Sequence, residues 1–478
     1  MAVNAYRSDN SCSLEGVVPS AASLRVLRAL ESAGLEAWYV GGWVRDAIMG
    51  VPSHDVDMCC SGSWEESERA LLSADIDVVR SGIKFGGITA VVEGERIEVT
   101  TYRLDGFYTD GRHPDEVVRA GTISEDLARR DFTVNAMAWH PERGVLDLFD
   151  GRGDIQARVI RAVGEPAVRF REDALRMLRA VRFACRLDFA IEPATCAALA
   201  ECAPLLDAVA NERVGIEMCG ILATRHGGDA MLRYPELICA AIPELAAARD
   251  FDQCSPYHAY SVYEHIARAL TVAGELSRFR IDGGDPDSEA SLSLMWAACL
   301  HDVGKPACFT QDAGGRGHFY GHPEEGAKMA RSIMRRLGLS DMLVRDACTL
   351  IRYHDMPVEP ERTSLLHAMQ LFDRAGCDVA RLMGELFDLK RADTLGKAPS
   401  CFYYVEEIER MREMVRELVA NGDAYSVKML AIGGRDLIDA GVRPGPRLGE
   451  LLERALQAVM DGRVRNEAQP LLAYLGLA

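Results

Sequence analysis

One short segment near the N-terminus limits the fold more than any other feature. An apolar run, AWYV (37–40), meets the glycine pair Gly41–Gly42, and the helical pattern WVRDAIMG follows at once. Glycines in such a place let backbone N–H groups approach a phosphate at a helix N-terminus. Arg45 lies within the first turn, placed to pair with the same anion. The next strand-like stretch, HDVDM (54–58), carries Asp55 and Asp57 two apart, so on a strand both face one way. Two carboxylates on one face can hold two Mg²⁺ ions that activate an attacking hydroxyl and neutralise a leaving phosphate. Glu98, in RIEVTTYR (96–103), is the candidate third acid. Taken singly, a glycine pair is also an ordinary turn, DxD a pair of solvated acids, and Glu98 an exposed strand glutamate. Their order and combination favour a phosphate-handling site.

Around this segment the pattern predicts a mixed α/β domain. Strand-like stretches at 74–79, 86–94 and 96–103 follow the first helix, in which Leu24, Leu27 and Leu30 are the apolar positions. From Val168 to about Ala248 the period is helical, and helical regions follow at about 256–395 and from Val405 onward. RFRIDGGDPDSEAS (278–291) reads as an exposed loop between helices, and no repeat of fixed period is evident. The expected organisation is a flexible tail (1–20), a head (21–165), a helical neck (166–250), a helical body (251–398) and a helical tail (399–478).

A second cluster comprises DGRHPDEV (110–117), read as a mobile loop near the site, and EDLARRDFTVNAMAW (125–139), read as a helix with acids first and arginines later. Arg129, Arg130 and Asp131 are placed to contact phosphates and ribose hydroxyls, although a surface salt-bridge set would look the same. The third cluster, REDALRMLRAVRFACR (171–186), predicts one helix. Asp173, Arg176, Arg179, Arg182 and Arg186 form its polar stripe, and Leu175, Leu178, Val181 and Cys185 an apolar stripe beside it. An Asp one turn from an Arg sets an acceptor beside a donor fork. That pair complements the Watson–Crick edges of cytosine and adenine, whereas uracil would turn its O4 acceptor toward the carboxylate. Arginines that merely snorkel to solvent would share this spacing.

Charge sharpens these readings. The chain's net charge of −18 argues against extensive nucleic-acid contact, which draws its affinity from neutralised phosphates. Between Arg158 and Arg186, however, eight arginines stand against three acids, enough to hold a phosphate-bearing ligand locally. The 14 cysteines are scattered without a CxxC, as expected of reduced thiols in the cytoplasm. The N-terminus lacks the layout of a secretory signal, and no apolar run approaches the roughly 18–20 residues of a membrane span.

The helical body holds SVYEHIARAL (261–270), CLHDVGKP (299–306), YGHPEEGAKMA (320–330), RYHDMP (352–357) and KRADTLGK (390–397). His265, His301, Asp302, His322, His354 and Asp393 form a ligand set for one or two divalent metals able to activate water against a phosphate ester. His258, His318 and His367 are read as ordinary histidines. This set resembles the HD-domain metal-dependent phosphohydrolases.

GGWVRDAIMG…HDVDM, IEVTTYR, DGRHPDEV, ARRDFTVNAMAW, DLFDGRGDI and REDALRMLRAVRFACRLDF, in this order, resemble the class II tRNA nucleotidyltransferase/poly(A) polymerase family of the bacterial CCA-adding type. NERVGIEM (211–218), IPEL (242–245) and IGGRDLIDAGVRPGPRLGELL (432–452) extend the resemblance from about residue 35 to the C-terminus. It implies an α+β protein: a polymerase-β-like mixed α/β nucleotidyltransferase head, then an all-α neck, an HD-containing body and a tail that hold tRNA. By motif position it implies Mg²⁺ on Asp55 and Asp57, with the triphosphate on Gly42 and Arg45. Arg130 would touch the bound nucleotide, Asp173 and Arg176 would read the base, and Arg179 and Arg182 would complete the pocket. The implied activity is template-independent addition of C and A from CTP and ATP to the tRNA 3′ end, releasing pyrophosphate. A second divalent transition metal would occupy the HD site, and some CCA-adding enzymes carry such a domain. The departure from the pattern is Cys59–Cys60 after HDVDM, where a small polar residue such as Thr is expected. Poly(A) synthesis, or CC-only or A-only addition, would leave nearly the same motifs. An HD phosphohydrolase with a nucleotide-sensing head, or an RNA-binding scaffold with an inactive head, are the readings from other classes.

Overall fold

The computed structural model describes residues 19–53, 55–83, 86–104, 118–255, 259–280 and 291–477. His54, DGRHPDEV (110–117), His258, most of 278–291 and nearly all of the expected tail lie outside the described residues. The chain divides into two compact units, residues 1–217 and 218–478. Among the described residues no helix is long and apolar enough to cross a membrane.

The first unit opens with α1 (Ala21–Ser32), whose Ser20 cap accepts the Ser23 amide at 3.0 Å. The strands β1 (Ala37–Val40), β2 (Val56–Cys60), β3 (Asp77–Val79), β4 (Gly87–Val92) and β5 (Glu95–Thr101) follow, with α2 (Gly42–Met49) after β1 and α3 (Trp64–Ser73) after β2. Next come β6 (Arg103–Leu104), β7 (Val118–Arg119), α4 (Ile123–Ala128), β8 (Met137–His140), β9 (Gly144–Asp147) and α5 (Gly151–Ala157). One seven-stranded sheet runs in the order β3-β4-β5-β2-β1-β8-β9. Its β2–β5 pair is parallel and the other pairs are antiparallel. Alternation builds its two faces. Val56, Met58, Cys60, Ile97 and Val99 enter the core with α1 and α3, while Trp38, Val40, Cys59, Tyr102 and Leu127 pack on the opposite side. Asp57 shares that second face, at the end where α2 begins.

Two expected helices are corrected here. EDLARRDFTVNAMAW is helical only through Ala128; a 3-10 turn (Thr133–Asn135) follows, and Met137–His140 forms strand β8. The physical reason is the open edge of β1, whose N–H and C=O groups need a partner that β8 supplies. The 171–186 helix is likewise broken, into α6 (Pro166–Glu172) and α7 (Leu175–Leu187). Asp173 sits in the break in extended conformation (φ −145°, ψ 104°), its Oδ1 accepting the Leu175 amide at 3.1 Å. This local side-chain bond competes with helical continuity. A two-stranded pair, β10 (Val159–Ile160) with β11 (Ala190–Ile191), brackets these helices, followed by α8 (Pro193–Cys202). Helix α9 (Asn211–Leu222) then spans the division between the units.

The second unit is helical. It comprises α10 (Gly227–Arg233), α11 (Pro235–Ala241), α12 (Val262–Arg280), α13 (Leu292–Leu300), α14 (His322–Arg336), α15 (Asp341–Tyr353), α16 (Arg362–Arg374) and α17 (Val379–Gly396). After these come α18 (Tyr404–Ala420), α19 (Gly434–Asp439), α20 (Pro446–Met460) and α21 (Ala468–Leu475). A small hairpin, β12 (Thr310–Gln311) with β13 (Gly317–His318), interrupts them. Helix α13 is apolar all round and buried from Ser293 to Leu300, so it can only sit centrally, packed by α12, α15 and α17. The His301–Asp302 doublet follows its last turn and is thereby carried into the interior.

Candidate functional site

In the first unit a cavity of about 380 Å³ opens on the second face of the sheet. It is lined by Val40, Asp57, Glu98, Thr100, Arg103, Arg129, Arg130, Asp131, Asp173, Leu175, Arg176, Arg179 and Arg213. Asp57 and Glu98 are register partners on the parallel strands β2 and β5, which sets the two carboxylates side by side. Burial, then Glu98 and Asp55, push the Asp57 carboxyl up to about 6 against the pull of Arg130. Like charges gathered in this way favour a cation, so the donor chemistry fits a divalent metal. Asp55 lies one residue ahead of β2, exposed, and outside the cavity lining, not on the strand as expected.

Gly41 has φ +69°, and a Cβ there would stand 3.1 Å from Arg130 Nη1 and 3.6 Å from Asp57 Oδ2. Only glycine serves this turn without strain. Arg45 differs from expectation in its surroundings. It is buried, donating to Asn135 Oδ1 and, through Nε, to Asp46 Oδ1, both at 2.8 Å, and it is not in the cavity lining. A Cβ on Gly42 would lie 3.6 Å from Arg45 Nη2, so the guanidinium stands beneath the glycine turn.

The cations of the cavity are held by acids, of which Asp126 and Glu172 carry no signal in the sequence, whereas Asp131, expected to meet the ligand, pairs with Arg179. Arg129 and Arg130 both donate to Asp126, and Arg179 donates to Asp131 at 2.8 Å. Arg176 donates to Glu172 Oε2 at 2.6 Å and to the Arg129 carbonyl at 3.1 Å. Arg182 donates to Glu217 at 2.6 Å, stacks on Phe183 at 4.5 Å, and lies outside the cavity lining. Asp173 and Arg176 both line the cavity, but the guanidinium bonded to Asp173 is that of Arg213, at 2.8 Å. Arg213 belongs to NERVGIEM, on α9. Its signal in the sequence was position in a motif with no chemistry of its own to read.

The histidine set of the second unit converges from five elements. His265 stands on α12, His301 and Asp302 after α13, His322 at the start of α14, His354 after α15 and Asp393 on α17, all buried. Each imidazole donates Nδ1–H to a backbone carbonyl: His265 to Gly396 (3.1 Å), His301 to Ala298 (2.9 Å), His322 to Phe319 (2.8 Å) and His354 to Ile351 (2.7 Å). These bonds turn all four Nε2 atoms inward. His265 and His301 Nε2 approach to 3.2 Å, and His322 and His354 Nε2 to 3.3 Å, distances that need a proton or cation between lone pairs. Asp302 lies between the pairs. Its Oδ2 is 3.2 Å from His265 and 3.3 Å from His301, and its Oδ1 is 3.3 Å from His322 and 3.7 Å from His354. Both oxygens are buried without a well-aligned hydrogen bond among the described residues, although Lys305 Nζ stands 2.7 Å from Oδ2. Two groups of metal-ligating atoms therefore share Asp302: one with His265, His301 and Asp393, the other with His322 and His354. Among the described residues only these groups gather three such atoms so closely; the acids of the head do not. Burial works against protonating His265 and His322, yet Asp302, joined by Asp393 at His265, outweighs it and raises both. A cavity of about 310 Å³ opens onto the cluster, lined also by Lys305, Lys397, Tyr320 and His318. His318 was read as ordinary; the hairpin fold, absent from any helical period, brings it there.

Family models match the chain in three places: a poly A polymerase head domain at residues 37–161, a probable RNA- and SrmB-binding site of polymerase A at 188–248, and an HD domain at 262–395. The chain is similar to the CCA-adding enzyme of Lacticaseibacillus paracasei, 32% identical over 94% of each chain, and to that of Enterococcus faecalis, 30% identical over 94% of each. It resembles the crystal structure of Bacillus stearothermophilus CCA-adding enzyme in complex with CTP (TM-score 0.69, 28% identity, 95% of this chain and 96% of that one). The fold is also that of the Thermotoga maritima CCA-adding enzyme complexed with tRNA-CCA (TM-score 0.58, 22% identity, 97% of each chain). An α/β head with a glycine-turned acid pair, an arginine-lined cavity and an HD-bearing helical unit, matched along nearly the whole length, thus place this chain in the family of CCA-adding tRNA nucleotidyltransferases.

Proposed function

We propose that the chain adds C and A nucleotides from CTP and ATP to the 3′ end of tRNA without a template, releasing pyrophosphate. The observation that carries this reading is the single cavity in which the Asp57–Glu98 pair faces both the phosphate-side arginines and the Asp173 break. Divalent cations, Mg²⁺ by their oxygen donors, held by Asp55 and Asp57 with Glu98 beside them, would lower the pKa of the attacking hydroxyl and neutralise the leaving pyrophosphate. The remaining steps belong to the protein's own groups. The Gly41–Gly42 turn lets backbone amides approach the triphosphate, with Arg45 supplying positive charge from beneath. Arg130 and Arg129 pair with its oxygens and hold the α-phosphate for in-line attack. Asp173 accepts the exocyclic amino group of cytosine or adenine while Arg176 and Arg213 offer donors to the adjacent ring acceptor. Arg179 and Arg182 keep that wall in place through Asp131 and Glu217. Every cysteine among the described residues is a free thiol, in keeping with a cytoplasmic protein.

The deciding experiment incubates tRNA lacking its terminal CCA with labelled CTP, ATP or both, and sequences the products. CCA completion is expected. Long A tails, or products that stop at CC or need only A, would replace this reading with another member of the same family.

The bridging position of Asp302 supports a second activity, metal-dependent phosphoester hydrolysis in the helical unit. Divalent transition metals held by His265, His301, Asp302, His322, His354 and Asp393 would supply a water-derived nucleophile at neutral pH. Lys305 and Lys397, which line the same cavity, would pair with phosphate oxygens. Metal content and hydrolysis of p-nitrophenyl phosphate, both lost in Asp302→Ala, test it. If that variant kept its metal, the assignment would fail.

A further inference from the structure

We infer that Asp126 is a positioning residue for nucleotide addition: its one carboxylate sets Arg129, Arg130 and the Arg103 amide at the phosphate side of the head cavity. The inference rests on the nucleotide-adding reading of that cavity. Asp126 is fully buried on α4, a helix fixed by a reciprocal capping box between Thr122 and Glu125. Its Oδ1 accepts Nε (3.1 Å) and Nη2 (2.7 Å) of Arg129 together with the Arg103 backbone amide (3.3 Å). Its Oδ2 accepts Nε (3.3 Å) and Nη2 (3.1 Å) of Arg130. Each oxygen thus holds one guanidinium side-on, and Arg103, Arg129 and Arg130 all line the cavity.

The grip has a direction. Held by Nε and Nη2, and donating weakly from Nη1 to the Asn135 carbonyl (3.4 Å), Arg130 sets Nη1 against the Gly41 turn, where a Cβ would come within 3.1 Å of it. Planar guanidinia are effective phosphate partners only when their fork is pre-oriented. Burial alone would raise the Asp126 carboxyl, but Arg130 and Arg129 outweigh it and keep it below the ordinary carboxylate range, so the clamp is charged at neutral pH. Simple Coulomb reasoning gives the opposite functional sign, since an acid near a triphosphate repels it. Removing the charge should tighten nucleotide binding if Asp126 is only a counter-charge, and loosen it if Asp126 positions the arginines.

Asp126→Asn and Asp126→Glu, in the full-length chain, separate these outcomes. Equilibrium CTP and ATP binding, KM and kcat on tRNA lacking CCA, and discrimination against UTP are measured beside thermal melting. The expected result is about tenfold or more weaker binding of CTP and ATP alike, the scale of a lost charged hydrogen bond, with a smaller change in kcat. Discrimination against UTP should stay as in the wild type, because Asp173 is untouched. Asp126→Asn added to the Arg129→Met, Arg130→Met double variant should bind no more weakly than that double variant alone. Unchanged or tighter binding in a folded variant overturns the inference, as does a loss confined to one nucleotide. If Asp126→Asn does not fold, Asp126→Glu decides by the same criteria, its longer arm displacing both guanidinia while keeping the charge. A wild-type chain unable to bind CTP or extend tRNA overturns the underlying reading, a result distinct from normal binding in the variants.

Discussion

Single residues in the two cavities are shifted upward from opposite causes, like charge in one and opposite charge in the other. Asp57 has its carboxyl raised to about 6 by burial and by Glu98, so the folded chain holds that proton more tightly than the unfolded one. Its ionisation therefore opposes folding: metal-free stability falls as pH rises from the ordinary carboxylate value of 3.8 toward 6. Asp57→Asn is expected to melt above wild type near neutral pH in chelator and to lose that margin below about pH 4. Added Mg²⁺ should raise the melting temperature of the wild type alone. Coincident melting curves for both proteins over this range would remove the like-charge argument. His265 and His322 are raised too, by neighbouring carboxylates against the pull of burial, so their protonation stabilises the metal-free fold below the ordinary value of 6.5, and that stability is lost as pH rises through the folded values. Metal should compensate there, binding more strongly as the protons leave. At the wall proposed to read the base, Asp173→Ala should lower discrimination of CTP and ATP against UTP by about ten- to hundredfold, and Arg213→Met should give a partial form of the same loss. A selective effect of Arg176→Met without one for Arg213→Met would return the donor role to Arg176.

At the scale of elements, a turn and a helix end do most to place the chemistry. Gly41→Ala puts a Cβ against Arg130 at φ +69° and ψ −136°, close to backbone space reserved for glycine, which costs about 1–3 kcal/mol of strain. Nucleotide affinity should fall together with the melting temperature, and Gly50→Ala, also at positive φ but with nothing near its Cβ, provides a strain control that leaves affinity unchanged. In the helical unit the apolar circumference of α13 forces its C-terminal doublet inward, and α14 and α15 each add one imidazole. His354→Ala, which removes a ligand of one group only, should halve the metal content per chain with the other group still occupied. Elemental analysis after dialysis checks this; total loss would mean that the groups bind as one.

For the whole molecule, a net charge of −18 makes the arginine-lined cavity a local concentration of positive charge in an acidic chain. The KM for tRNA is expected to rise steeply with salt, since each neutralised phosphate releases counterions, whereas the KM for CTP should rise less. The two cavities belong to separate compact units. Asp302→Ala should accordingly leave CCA addition within about twofold of wild type, the limit expected of energetically independent sites.

Much of this was legible in the chain itself. Strand AWYV, the glycine pair, the Asp57–Glu98 face and the six histidines and aspartates of the helical unit follow from local rules: period, turn chemistry and donor type act over a few residues, and the sequence displays them directly. Other features required partners distant in sequence. MAWH became a strand because β1 had an edge to fill, the 171–186 helix broke where Asp173 bonded back to Leu175, and Arg45 turned inward to Asn135. Asp126, Arg213, Glu217 and His318 carry no motif chemistry until folding brings them to the residues they hold or the cavity they line. Sequence alone determined which functional groups the protein owns, and it placed Asp57, Glu98, His265 and Asp393 on the right kind of element. Tertiary structure alone decided which acid holds which arginine, because burial makes every buried charge find a partner wherever in the chain that partner stands.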